Sequence, residues 1–160
     1  MTTHAATFRA PRLHFGPVLL GGLLVGTFDL VFASTWWKIA HDVPPIRILQ
    51  SIGSGLLGEA SFEGGVRSAT IGGVAHYFIA TCMVLAFALV ATRVPALLRR
   101  PIAWGVPYGL FLYGLMTYVV VPLSAAAPSK SVNVPWVTAS IVVHVLIGVA
   151  CAFIARRAVR

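Results

Sequence analysis

Residues 16–37, GPVLLGGLLVGTFDLVFASTWW, decide the fold. At about 1.5 Å per residue these 22 residues can cross a hydrocarbon core, and one acid, Asp29, interrupts an otherwise uncharged run. A carboxylate at such a depth is costly unless other helices offer it partners. Gly22, Gly26, Asp29 and Ala33 recur at intervals of four, three and four, so they share one helical stripe. Small residues there let a second helix come close, and they turn Asp29 towards that helix.

The composition extends this reading to the whole chain. With 58% hydrophobic and 10% charged residues, the 160-residue sequence is too apolar for an ordinary soluble domain. Its formal net charge of +8 comes from basic residues placed between and beside the apolar runs. That is a topology pattern and not a basic face, so it argues for a lipid bilayer and against nucleic acid as partner. A cleaved signal peptide starting at Arg9 and Arg12 is disfavoured, because the first run is too long and holds Asp29. Cys82 and Cys151 fall inside later apolar runs and read as small packing residues.

Four spans follow, over about 16–37, 68–92, 102–123 and 135–155, with a short tail 1–15 before them and residues 158–160 at the end. Trp36-Trp37-Lys38, Trp104 and Trp136 mark the lipid–water boundary. The one long connection carries a proline start at Pro44-Pro45. A helical wheel over 45–58 sets Ile46, Ile48, Leu49, Ile52, Leu56 and Leu57 on one side, with Arg47, Gln50, Ser51, Ser54 and Gly58 on the other. The expected fold class is therefore an all-α membrane protein: a four-transmembrane-helix bundle with an amphipathic interfacial helix in the first loop. Glu59 and Glu63, spaced i, i+4 after that helix, read as part of a solvated loop.

Depth selects the candidate site. Asp29 lies eight residues before Trp37, His76 eight after Ser68 and His144 eight after Trp136, each about 12 Å below the same surface. Tyr113 and Thr117 precede the outer end of the third span by nine and five residues. The expected ligand or proton layer is Asp29, His76, Tyr113, Thr117 and His144. Gly22, Gly26, Gly72, Gly73, Gly109 and Gly148 on the same stripes read as helix-packing positions.

Several chemistries remain open for such a layer. A buried Asp–His–Tyr set can simply bond to itself and fix helix register. It can relay protons or hold a cation or small ligand, since imidazole titrates near neutral pH. His76 and His144 can serve as axial haem ligands of an electron-transfer or respiratory protein, with Gly72, Gly73 and Gly148 making room for the porphyrin. Zinc or copper on Asp29, His76 and His144 is a further alternative, although the ligands lack diagnostic spacing. Catalysis has no motif in its favour, and a structural role in a homo-oligomer or larger membrane complex is the remaining class.

The loop RILQSIGSGLLGEASFEGG, the GGVAHYF opening of the second span, and VPLSAAAP followed by VPW together resemble a group of small four-span bacterial inner-membrane proteins. The plan is also similar to the YagU type: a Gly-rich first span, a histidine in the second, a Pro-Leu turn after the third and a histidine in the fourth. The likeness covers about residues 16–157. It implies a bacterial inner membrane and brings no substrate, cofactor or catalytic residue.

Eight of the 12 Lys and Arg residues fall in the two terminal tails and the 93–101 connector. Both termini are therefore expected in the cytoplasm. A reporter that is active only outside the cytoplasm should stay silent when fused after Arg160, and activity there would reverse the orientation.

Overall fold

The computed structural model describes residues 12–127 and 132–160, so the start of the expected N-terminal tail and Lys130 in the last loop lie outside it. The elements are α1 (Phe15–His41), α2 (Pro45–Leu57), a 3-10 turn (Gly58–Phe62), α3 (Gly65–Arg93), α4 (Ala96–Arg99) and α5 (Pro101–Leu115). A π-helical turn (Met116–Val120) and α6 (Val121–Leu123) carry α5 on without a break, and α7 (Val134–Ala158) completes the chain. Four of these helices, α1, α3, the continuous Pro101–Leu123 and α7, are long and apolar enough to cross a membrane. The protein is an all-α bundle of four such helices. Its helices outrun the apolar stretches that announce them: α1 continues through Lys38 to His41, and α3 begins at Gly65.

Local chemistry sets the ends. Pro45, Pro101 and Pro135 occupy first-turn positions, where a missing N–H costs nothing. Asn133 caps α7, its Oδ1 accepting from the Trp136 N–H at 3.1 Å. Asp42 closes α1 in the left-handed region (φ 52°), with its N–H donating to Lys38 O and its carboxylate paired with the Lys38 ammonium.

The packing is the reverse of a soluble bundle. On α1 the buried residues are Val18, Gly21, Gly22, Val25 and Gly26, whereas Leu19, Leu20, Leu23, Leu24 and Phe28 are 45–60% exposed. Small residues face inward and large apolar ones outward, as suits a lipid solvent. At the end of the bundle near the termini, Val84, Ala88, Ala91, Cys151, Ala152, Ala155 and Ala158 are fully buried and the helices lie close. There the segments flanking α1 and α7 pair: Arg12 N–H donates to Arg160 O (2.7 Å), Arg160 N–H to Arg12 O (3.1 Å) and His14 N–H to Ala158 O (2.8 Å).

Helix α7 packs against α1, α3 and α5. Its contact with α5 is backbone on backbone. A Cβ at Gly148 would strike Gly105 O and the Gly109 backbone, and one at Gly109 would strike His144 O. Helix α1 meets α3 through Gly22 against Thr81 and Gly26 against Tyr77 and Ala80. Tyr108 ties α5 to α3, its hydroxyl donating to Met83 O at 2.7 Å.

Helix α2 rests on α3 by an edge that the wheel assigns in part to its polar side. Its buried residues are Gln50, Gly53 and Ser54, while Ile46, Leu56 and Leu57 are exposed. Gly72 admits the backbone of Leu49 and Gly53, and Gly73 meets the Leu49 side chain, so these two glycines receive α2 instead of opening space beside His76. A hydrogen-bond chain supports the contact: Gln50 Nε2 donates to Gly65 O (3.1 Å), Ser61 Oγ to Gln50 O (2.7 Å) and Ser68 Oγ to Ser61 O (2.6 Å). Facing Gly and Ser inward satisfies polar groups within protein, and of the apolar arc Ile46, Leu56 and Leu57 stay outward while Ile48, Leu49 and Ile52 are partly covered. Glu59 and Glu63 are exposed.

The glycine contacts predict an asymmetric mutational response. Gly148→Ala should push α5 off α7 and cost about 1–3 kcal/mol in unfolding from detergent. Gly114→Ala, on α5 with nothing within 4 Å of the new Cβ, should change stability by less than about 0.5 kcal/mol.

Candidate functional site

Away from the tightly packed end, the four long helices part enough to leave a cavity of about 280 Å³, with α2 across one side. From α1 it is lined by Val25, Asp29, Phe32, Ala33 and Trp37, a single stripe of the helix. From α7 it is lined by Trp136, Ser140, His144 and Ile147, again one stripe. Helix α3 supplies His76, Ile79, Ala80 and Met83, the π turn supplies Met116, and α2 supplies Ile48, Ser51 and Ile52. Asp29, His76 and His144 thus share one cavity.

Hydrogen bonds fix the two imidazoles. His76 Nε2 lies 2.9 Å from Gly26 O, and a carbonyl only accepts, so Nε2 carries a proton. His144 Nδ1 lies 2.9 Å from Ser140 O, one turn earlier, and carries a proton for the same reason. The second ring nitrogen, Nδ1 of His76 and Nε2 of His144, is an acceptor when the ring is neutral. Asp29 Oδ2 stands 4.0 Å from His76 Nε2, beyond hydrogen-bond reach. The carboxylate is about a third exposed, towards the cavity it lines.

Two buried polar atoms among the described residues find no hydrogen-bond partner, Ser140 Oγ and Trp36 Nε1. Ser140 is 7% exposed and lines the cavity. A buried hydroxyl without a partner costs about 1–3 kcal/mol, so this layer does not close on itself as polar glue should.

Tyr113 and Thr117 do not line the cavity. Tyr113 meets His144 edge-on, with ring centroids 5.5 Å apart and planes at 81°. Thr117 sits in the π turn, and from that turn Met116 reaches the cavity wall. A π turn holds more residues than an α turn and rotates the register, which a wheel of 3.6 residues per turn does not foresee. Residues read as boundary anchors also join the wall. Trp136 stacks on Phe32 (5.8 Å, 11°) and tilts against Trp37 (5.3 Å, 54°), so these aromatics form a corner next to the polar layer. Their shared stripes with Asp29 and His144 were the available signal.

The fit to the cofactors considered above is poor. Among the described residues no three His, Cys, Asp or Glu side chains come together as a metal-ligand group. The glycines assigned to porphyrin space are filled, Gly72 by α2 backbone and Gly148 by α5 backbone. No family model, curated protein or solved structure matches the chain.

The 4.0 Å contact predicts energetic coupling. Asp29→Leu and His76→Leu should each destabilise the protein in detergent, the second by about 1 kcal/mol for the lost Gly26 bond alone. The double variant should lose at least about 0.5 kcal/mol less than the two single losses combined, and strict additivity in thermal unfolding would exclude direct coupling.

Proposed function

We propose that this chain is a multi-pass protein of a bacterial inner membrane, with both termini cytoplasmic, whose cavity binds a small polar ligand at the Asp29, His76 and His144 layer. The role is binding or carriage rather than catalysis. The single observation that carries it is the incomplete bonding of that layer. Asp29 stops 4.0 Å short of His76, and Ser140 Oγ is buried without a partner in the same cavity. A self-satisfied structural cluster would bring these groups into direct contact, since apolar surroundings offer them nothing else. The charge asymmetry of the connections and the likeness to the YagU type support the compartment and orientation.

A ligand site must admit water, and a cysteine at its wall reports that. In a Cys82→Ala background, leaving only the buried Cys151, Ser140→Cys should react with the small cationic reagent 2-aminoethyl methanethiosulfonate. Phe111→Cys, on the exposed apolar surface of α5, should react far more slowly. Equal inertness of the two positions would mark the cavity as dry and overturn the reading.

A further inference from the structure

The geometry points to a small organic ammonium ion as the ligand class, its charged nitrogen near Asp29 and its apolar body against Trp136. This rests on the cavity being a ligand site, and it adds the sign, size and surface of what fits there.

The sign comes from the groups around the cavity. Asp29 is the one carboxylate in the four long helices, and among the described residues no Lys or Arg lines the cavity. Both histidines have given one N–H to a backbone carbonyl, at Gly26 and Ser140, so the second nitrogen of each ring accepts when the ring is neutral. Ser140 Oγ, also unpartnered, can accept a further hydrogen bond or donate one. Such a set suits a ligand that carries N–H donors and positive charge. The ligand also supplies the counter-charge that a carboxylate at this depth needs. Anions are the wrong match. The N-terminus of α7, whose Trp136 lines the cavity, is already capped by Asn133 on the Trp136 N–H.

The surface comes from the aromatic corner. Phe32 and Trp136 stack nearly parallel, and Trp37 stands across them at 54°. Aromatic faces offer the ligand's body apolar surface, and their ring quadrupole favours a nearby positive charge over a negative one. A bare inorganic cation would instead need several oxygen ligands, where this wall offers rings and the thioethers of Met83 and Met116. The volume of about 280 Å³ equals the liquid share of about nine water molecules, so the ligand has roughly ten heavy atoms.

Three molecules of one shape test this on the whole protein in detergent: benzylammonium, benzyl alcohol and benzoate, each titrated against the intrinsic tryptophan fluorescence. Benzylammonium should saturate with an apparent Kd at least tenfold below that of benzyl alcohol, and benzoate should bind weakest. Asp29→Asn should erase the preference of cation over alcohol, and Trp136→Leu should weaken both. The wild-type ranking needs no variant, so a folding defect in Asp29→Asn leaves the test decisive. Equal affinities for cation and alcohol, a preference for benzoate, or no saturable binding of benzylammonium would overturn the inference. Any of these results beside a reactive Ser140→Cys would leave the ligand site standing with another ligand class, whereas an inert Ser140→Cys would remove both.

Discussion

Everything in this structure depends on backbone meeting backbone where side chains are missing. Lipid is as apolar as leucine, so burying Leu or Phe between helices gains little, and close van der Waals contact has to hold them together. The chain places such contacts at Gly22 against Thr81, Gly72 against Leu49 and Gly53, and Gly148 against Gly105 and Gly109. The alanines that close the bundle near the termini extend the same device, with Ala88, Ala91, Ala152 and Ala155 wholly buried. Bulkier and polar groups prevent equal approach at the other end. The side chains of Asp29, His144 and the aromatic corner stand between α1 and α7 there, and the cavity lies among them.

The polar layer belongs to the architecture as much as to any function. His76 joins α3 to the Gly26 carbonyl of α1, at a point where glycine also lets the two helices touch. His144 keeps its bond within α7, so it adds no such tie and leaves its second nitrogen uncommitted. The two histidines at equal depth therefore differ in kind: one holds helices together, and the other is held by its own helix and by the edge of Tyr113. Asp29 stands between a structural donor and open space, an arrangement with more freedom than a closed ion pair.

Much of this was legible in the sequence, for reasons that particular residues make plain. Helix length and hydropathy announce the four spans because the bilayer imposes a minimum length that few soluble helices match in apolarity. The depths of Asp29, His76 and His144 follow from counting residues from Trp37, Ser68 and Trp136 at a constant rise, and all three line one cavity. Counting failed where the rise and turn change. The π turn at Met116–Val120 exchanges Thr117 for Met116 at the wall, and no residue type there signals the extra residue. The wheel separated the faces of α2 without saying which one the protein covers. In water the apolar arc would be buried. Here Gly53 and Ser54 are buried most deeply, because Gly72 lies opposite, and only the Ile48, Leu49 and Ile52 part of the arc is partly covered. Gly72 and Gly73 were legible as close-approach positions but not as the seat of α2, since a glycine does not name its partner.

The bond between His76 and the Gly26 carbonyl spans 50 residues of chain, and this sets a timetable for biogenesis. At a synthesis rate of about 5–20 residues per second, Asp29 emerges roughly 2–9 s before the imidazole that will stand beside it. Helix α7, which packs against α1, α3 and α5 and brings His144, is made last of the four. During that interval the first span waits in the insertion machinery or at its lipid edge with a carboxylate in its middle and no helix yet to shield it. An early span of this kind depends on being retained until its partners arrive, and a delay in translation between α1 and α3 lengthens its exposure to membrane quality control.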